Sequence, residues 1–154
     1  NLIIRPKDLQ DNATPSGNAL AALALLQLHA YTEDALWKDL AGTCLDLTRS
    51  TASRYPTAFA QWLIALDFEQ GPTEEVAILC PSGESLANEL TALLWSQFRP
   101  RSVAAISSSP ATATSPAILR DRPLVNDQPT AYVCHYGVCF SPATTVEEMQ
   151  NLLG

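Results

Sequence analysis

The chain has 154 residues, of which 47% are hydrophobic and 16% charged, a composition that can bury a core and is not that of a disordered segment. Sixteen acidic residues against nine Lys and Arg give a net charge of −7, which offers no electrostatic support for binding a nucleic-acid backbone. The longest apolar run, 19–26, is far shorter than the roughly 20 residues that cross a bilayer, so we expect a soluble, cytoplasmic protein with no membrane partner.

The first seventy residues are rich in Ala and Leu, which favour helices. Three helices are predicted, over 15–30, 32–49 and 56–70. Thr14 followed by Pro15 is typical of a helix start, and the apolar run 19–26 indicates that the first helix is buried on most sides. The second helix is amphipathic, and an inner helix covered by an outer one is typical of a two-layered helical array.

After Gly71 and Pro72 the pattern changes to short apolar runs that are typical of strands. Strands at 76–80 and 103–106, with a helix at 84–98 between them, predict a parallel pair in a βαβ unit. A loop at 107–116, a hairpin around Tyr136-Gly137 and a closing helix that is capped by Thr144 or Thr145 complete the prediction. We therefore expect a helix-rich fold of mixed α and β structure.

The densest polar cluster lies at 11–18, directly before the first predicted helix. A helix start presents free N–H groups and positive potential, so an anionic or hydroxyl-rich ligand is one expectation for this loop. The ligand-binding candidates are Asp11, Asn12, Thr14, Ser16 and Asn18. The alternative is structural, with Thr14 and Ser16 capping the helix and Asp11 and Asn12 forming a turn.

Cys134 and Cys139 stand on either side of the predicted hairpin turn, directly opposite each other. Facing strand residues have Cα atoms about 4.5 to 5.5 Å apart, so the two thiols are redox candidates that either form a bridge or pack as reduced side chains. His135 points to the other face of the strand, which leaves too few ligands for zinc, and we expect neither metal nor cofactor. Cys44 is expected in the core, and Cys80 lacks a neighbouring base that would make it a nucleophile.

The sequence also resembles a known family. Residues 2–8, residues 11–18, which read Asp-Asn-Ala-Thr-Pro-Ser-Gly-Asn, and residues 131–134 with Cys139 resemble the C-terminal part of the thioredoxin-domain-containing proteins related to spermatogenesis-associated protein 20. In that family a thioredoxin-like domain precedes a helical toroid that is similar to the (α/α)6 barrels of N-acylglucosamine 2-epimerases and six-hairpin glycosidases. The resemblance implies that 1–70 supplies the last helices of such a toroid and that 71–154 forms a small α/β cap with a β-hairpin.

The resemblance implies a position more than an activity, because the activity of that family is poorly defined. It places the polar loop at the mouth of a toroid that binds a carbohydrate-like ligand, in a parent protein that is epimerase-like or glycosidase-like. The catalytic residues remain unassigned, and we expect this chain to be inert alone. The alternatives are a redox-linked interaction module that uses Cys134 and Cys139, or a purely structural cap.

The chain begins Asn1-Leu2-Ile3-Ile4, without Met and already in apolar sequence, so we expect it to be part of a longer chain. Its first partner is then the missing N-terminal part of the same chain. Helix faces that have lost such neighbours favour self-association, which we expect through the regions 20–28 and 59–66.

Overall fold

The computed structural model of the protein describes residues 8–86 and 88–153, which form a mixed α/β structure. Within these ranges the chain has six α-helices and one four-stranded sheet. The elements in chain order are α1 (Gly17–Thr32), α2 (Ala35–Asp46), α3 (Arg49–Arg54), α4 (Ala60–Gln70), β1 (Glu74–Cys80), α5 (Glu89–Leu94), β2 (Ser102–Ser108), β3 (Thr130–His135), β4 (Val138–Cys139) and α6 (Val146–Leu153). Single 3-10 turns form at Pro56–Ala58 and Ala117–Leu119.

The contacts of the chain divide it into two compact units. One contains the described residues up to His29 together with Asp34–Gly71, and the other contains Ala30–Glu33 and the chain from Pro72 onward. No helix within the described ranges combines the length and apolar character that crossing a bilayer requires.

Helix α1 buries one stripe of apolar residues, mostly Ala, and does not bury its whole circumference. Ala19, Ala22 and Leu26 are 0%, 0% and 5% exposed, whereas Leu20 and Leu28 remain 47% and 41% exposed. The buried residues follow the spacing of one helix face, so the prediction that this helix is covered on most sides is wrong. The apolar run indicated a helix correctly, but the run itself does not say which of its side chains meet a neighbour.

The predicted fold class is wrong in its first part, because residues 8–70 do not form the end of an (α/α)6-type toroid, whereas the mixed α and β structure with a βαβ unit and a hairpin is present after Gly71. A toroid needs long helices that alternate between an inner and an outer layer. After α2 the chain instead makes the six-residue helix α3 and a single 3-10 turn at Pro56–Ala58. The second predicted helix ends early, at Asp46 with Leu47 as its C-cap. Pro56 acts further along the chain, where it disfavours a helical conformation of Tyr55, the residue that follows α3.

The four strands form one mixed sheet in the order β2-β1-β3-β4. Strands β1 and β2 are parallel, as the βαβ pattern predicted, and β3 runs antiparallel to β1. The helix between β1 and β2 is shorter than predicted. Asn88 caps its start by accepting a hydrogen bond from the Thr91 N–H at 3.0 Å, and α5 ends at Leu94.

The core of the second unit lies on one face of this sheet, where α5 and α6 cover it. Alternate strand residues point to this face because the side-chain period of a strand is two. The cluster contains Val76, Ile78, Cys80, Leu90, Leu94, Ala131, Val133, Ala143, Met149 and Leu153. The 3-10 turn Ala117–Leu119 also contacts β1, and its Ile118 and Leu119 are buried.

Candidate functional site

A tight hairpin places the two redox candidates opposite each other. Strands β3 and β4 are joined by Tyr136 and Gly137, whose φ angles of 52° and 74° are typical of the two-residue turn that matches the twist of paired strands. His135 pairs with Val138, and Cys134 pairs with Cys139 in the next register position. The prediction that the two cysteines face each other is confirmed by this register.

The two sulfur atoms are bonded to each other in the structure, at 2.08 Å. The sites of the two cysteines differ sharply in exposure, since Cys134 is 1% exposed and Cys139 lies at the surface on the short edge strand β4. A thiol or disulfide from another molecule therefore meets Cys139 first. The redox role of this bridge stays a prediction.

A cation that the sequence analysis missed lies against this bridge. The Nη1 atom of Arg122 donates a hydrogen bond to the Cys139 sulfur at 3.1 Å, and its Nε atom donates to the Ile118 carbonyl at 2.6 Å. The guanidinium carbon also lies 5.2 Å from the centre of the Tyr132 ring. Arg122 precedes Cys139 by 17 residues in an irregular segment, so no local pattern could have paired them.

Tyr132 also lies near the bridge, because it is on β3 two residues before Cys134. Its hydroxyl donates a hydrogen bond to the Pro123 carbonyl. Burial raises the pKa of the Tyr132 hydroxyl, and the positive charge of Arg122 partly offsets that rise. The phenol is therefore neutral at physiological pH and serves as a fixed ring beneath the guanidinium.

His135 takes part in a separate polar cluster. Its Nε2 atom lies 3.9 Å from Glu74 Oε2, and its ring meets Phe140 edge-on at 5.2 Å between centroids. The Glu74 carboxylate also accepts a hydrogen bond from the Ser102 hydroxyl and lies 3.6 Å from Arg99 Nη1. Among residues 8–86 and 88–153, no three His, Cys, Asp or Glu side chains come together in a group that could hold a metal ion.

The polar loop before α1 is held by its own acidic residue. Asp11 Oδ1 accepts a hydrogen bond from the Ser16 N–H at 2.7 Å, and Oδ2 accepts one from the Gln61 N–H at 2.8 Å. The Ser16 hydroxyl donates to the Asp8 carbonyl at 2.8 Å and accepts from the Ala19 N–H at 3.4 Å. Ser16 thus caps α1, which begins two residues later than Thr14 and Pro15 predicted.

The other three ligand-binding candidates of this loop are Asn12, Thr14 and Asn18. Asn12 and Thr14 are exposed, and Asn18 Nδ2 donates to the Asp8 carbonyl at 3.1 Å. A shallow surface depression of about 350 Å³ lies beside the loop, and of the five candidates only Asn12 lines it; the lining residues are Asp8, Leu9, Gln10 and Asn12. Residues 2–7, which carry part of the family resemblance, lie outside the described residues.

The remaining two cysteines are free. Cys80 is fully buried at the end of β1, where its sulfur accepts a hydrogen bond from Asn88 Nδ2 at 3.1 Å. Burial raises the pKa of the Cys80 thiol, the Asn88 bond lowers it in part, and the charge of Glu84 raises it further. These surroundings favour an unreactive thiol. Cys44 is half-buried on α2.

No family model matches the chain. Spermatogenesis-associated protein 20 of Homo sapiens is 31% identical to it over 161 aligned positions, which cover 99% of this chain and 20% of that protein. The proteins of the same name from Rattus norvegicus and Mus musculus are 30% and 29% identical over 159 positions, with the same coverage. The chain spans about one fifth of the length of these relatives, and the resemblance to proteins related to spermatogenesis-associated protein 20 is confirmed along its whole length.

Proposed function

We propose that this chain is a redox-responsive module in which the bond between Cys134 and Cys139 opens and closes. The observation that carries the proposal is the facing pair itself, with Cys134 buried and Cys139 at the surface of an edge strand. A bridge whose role is structural alone gains nothing from an exposed sulfur, whereas exchange with another molecule requires one.

The reductant is a dithiol. One of its thiolates attacks the bridge and forms a mixed disulfide, while the other protein sulfur leaves as a thiolate and takes up a proton. The second thiol of the reductant then displaces the protein sulfur from the mixed disulfide. The reductant becomes a disulfide, two electrons pass to the bridge, and both cysteines end as thiols. The family resemblance, which implies a thioredoxin-like domain in longer members, supports a dithiol of that kind as the partner.

Opening the bridge would loosen the edge of the sheet. Strand β4 has only two residues, Val138 and Cys139, and besides the bridge it is held by its short pairing with β3 and by the hydrogen bond from Arg122 to the Cys139 sulfur. Val138 is 72% exposed and Phe140 is 44% exposed, so a partner that contacts this tip would meet apolar side chains whose positions depend on the bridge. In the proposed function, opening of the bridge changes what the hairpin tip binds.

The test equilibrates the 154-residue chain in dithiothreitol redox buffers of graded potential, followed by acid quenching, alkylation and mass spectrometry. We expect one reversible two-electron transition that belongs to residues 134 and 139, with the fold retained in both states. A matched variant, Cys44→Ser, should give the same transition. Thiols that stay reduced under mild oxidant, a different pairing, or a bridge that opens only on unfolding would each contradict the proposal.

A second candidate function is binding of a small, hydroxyl-rich, carbohydrate-like ligand beside the N-terminal loop. The depression of about 350 Å³ and the exposed amide of Asn12 on its lining favour it. Isothermal titration against a sugar library should show a ligand whose binding weakens at least about tenfold in Asn12→Ala, with Thr43→Ala as a surface control. Equal binding by both variants, or no binding at all, would remove this candidate.

A further inference from the structure

The two sulfur atoms of the bridge are not equivalent in their surroundings. Resting on the function proposed above, we infer that Cys139 is the sulfur that exchanges with an outside disulfide or dithiol, and that Arg122 is the positioning residue that favours its thiolate.

The two sulfur atoms differ in their access to other molecules. Exchange requires a thiolate to reach a sulfur along the bond that breaks, so a buried sulfur is a poor point of entry. Cys134 is 1% exposed and lies on β3, between β1 and β4, while Cys139 lies in the exposed segment that runs from Tyr136 to Phe140. An extended peptide or a small disulfide can therefore reach Cys139 without opening the sheet.

The charged groups near the two sulfur atoms also differ. Arg122 presents its guanidinium to the Cys139 sulfur at 3.1 Å, and a neighbouring Arg stabilises a thiolate relative to the thiol. On the opposite side of the hairpin, Glu75 of β1 is in register with Cys134, where a carboxylate disfavours a second negative charge. Tyr132 faces the same side as a neutral ring, and Glu74 and His135 occupy alternate strand positions that point to the other face.

Arg122 is well placed to stabilise the Cys139 thiolate because its guanidinium is already fixed. One nitrogen is held by the Ile118 carbonyl at 2.6 Å, and the guanidinium carbon lies over the Tyr132 ring, 5.2 Å from its centre. A cation that is held before the bridge opens loses little side-chain freedom when the thiolate forms. A lysine at this position would keep the charge but lose the planar contacts that orient it.

Exchange at Cys139 proceeds in two displacement steps. The Cys139 thiolate attacks an outside disulfide, a sulfur–sulfur bond forms between Cys139 and one partner sulfur, and the other partner sulfur leaves as a thiolate. Cys134 then loses its proton to solvent and attacks the Cys139 sulfur, which closes the internal bridge and releases the second partner thiolate. Two protein thiols are oxidised and one partner disulfide is reduced to two thiols.

The test begins with the chain fully reduced by a phosphine and uses oxidised glutathione as the probe. Cys134→Ser should form a mixed disulfide at Cys139, whereas Cys139→Ser should form one at Cys134 at least about tenfold more slowly. Faster trapping in Cys139→Ser would overturn the assignment of Cys139.

The second arm measures the rate of Cys139 alkylation by iodoacetamide from pH 5 to 10. Arg122→Gln should shift the midpoint of this profile to higher pH and slow the reaction several-fold at pH 7, and Arg122→Lys should restore part of the rate. The matched control is Arg120→Gln, because Arg120 contacts the Ser115 carbonyl and not the bridge. An unchanged profile in Arg122→Gln would overturn the role of Arg122.

Two measurements separate the reactivity of Cys139 from the folding of the variants and from the reduction of the bridge by dithiols. Because the unsubstituted chain also reports the ratio of Cys139 to Cys134 alkylation, the assignment of Cys139 does not depend on whether Arg122→Gln folds. Because the phosphine opens the bridge chemically, the profile is obtained even when no dithiol reduces the protein. A bridge that resists dithiols therefore contradicts the proposed function alone, and equal reactivity of the two thiols contradicts this inference alone.

Discussion

The side chain of Asp11 and the backbone of Gln61, which are 50 residues apart, are joined by a hydrogen bond of 2.8 Å. Gln61 lies in the first turn of α4, and Phe59, at the N-cap position of that helix, has no side-chain acceptor for the free N–H groups. Asp11 supplies that acceptor from a distant part of the chain. Its other oxygen holds the Ser16 N–H directly before α1, so one carboxylate connects the starts of two helices.

Asp11→Ala should destabilise the protein by about 1–3 kcal/mol, because it removes both acceptors and leaves two backbone N–H groups without their partners. Asp11→Asn should have a smaller effect, since its amide keeps one acceptor oxygen. The measurement is urea-induced unfolding followed by circular dichroism. The surface change Asp39→Asn on α2 serves as the control and should leave the urea midpoint nearly unchanged. Equal midpoints for Asp11→Ala and the control would show that the carboxylate is not a structural tie.

The elements that follow from local sequence chemistry were predictable. The strand runs near Val76 and Val103, the tight turn at Tyr136-Gly137 and the cap at Thr145 all depend on neighbouring residues. Element ends were less predictable, because Ser16 and Asn88 decide them through single side-chain hydrogen bonds. Burial around α1 could not be predicted, since an apolar run gives a helix but not the positions of its neighbours.

The contacts at the candidate sites likewise divide into those that local spacing predicts and those that it does not. The facing of Cys134 and Cys139 follows from the length of a hairpin turn, so spacing alone predicts it. The contact of Arg122 with Cys139 depends on an irregular segment, and the contact of Asp11 with Gln61 depends on tertiary folding. The prediction of a toroid was wrong because it was based on the family resemblance and not on the helix lengths that this chain itself supports.

Arg99 should contribute to stability through the buried carboxylate of Glu74. Its Nη1 atom lies 3.6 Å from Glu74 Oε1 and donates to the Leu153 carbonyl at 2.9 Å, and both side chains are mostly buried. Arg99→Met should cost about 2 kcal/mol, because it leaves a buried charge with fewer partners. This loss of stability is smaller than the loss expected on breaking a buried ion pair whose hydrogen bonds are all made, because the buried Nε atom of Arg99 has no acceptor among the described residues.

The measurement for Arg99→Met is the free energy of unfolding in urea at pH 7. Arg54→Met is the matched control, because Arg54 is exposed and lies over the Tyr55 ring at 5.4 Å. The double variant Arg99→Met with Glu74→Gln should recover part of the lost stability, because it removes the buried charge as well. A double variant that is less stable than Arg99→Met would contradict this explanation.

Cys80 should react with iodoacetamide at least about tenfold more slowly than the half-buried Cys44 in the folded chain at pH 7.5. Burial raises the pKa of the Cys80 thiol, so less of the reactive thiolate exists at that pH, and its rate should keep rising at higher pH. Peptide mass spectrometry of samples quenched over time gives both rates. In 8 M urea the two rates should become similar, and a folded-state rate of Cys80 equal to that of Cys44 would contradict the prediction.

Glu148 should make the start of α6 sensitive to acid. Its Oε2 atom accepts hydrogen bonds from the Thr144 and Thr145 N–H groups at 2.8 and 3.1 Å, and Thr145 Oγ1 accepts from the Glu148 N–H at 3.2 Å. This is a reciprocal capping box. The backbone bonds from Thr144 and Thr145 lower the pKa of the Glu148 carboxyl below its ordinary 4.5.

A carboxyl whose pKa is lower in the folded state stabilises the fold fully above its unfolded pKa and loses that contribution as the pH falls through its folded pKa. We therefore expect α6 to lose helical structure as the pH falls below about 4.5. Cα chemical shifts of residues 146–153, recorded from pH 7 to pH 3, give the measurement. Glu148→Gln should weaken the cap already at pH 7 and flatten the change between pH 4.5 and pH 3, whereas Glu147→Gln, one residue earlier and exposed, should keep it. A Glu148→Gln profile with the same acid transition would assign the pH dependence to another group.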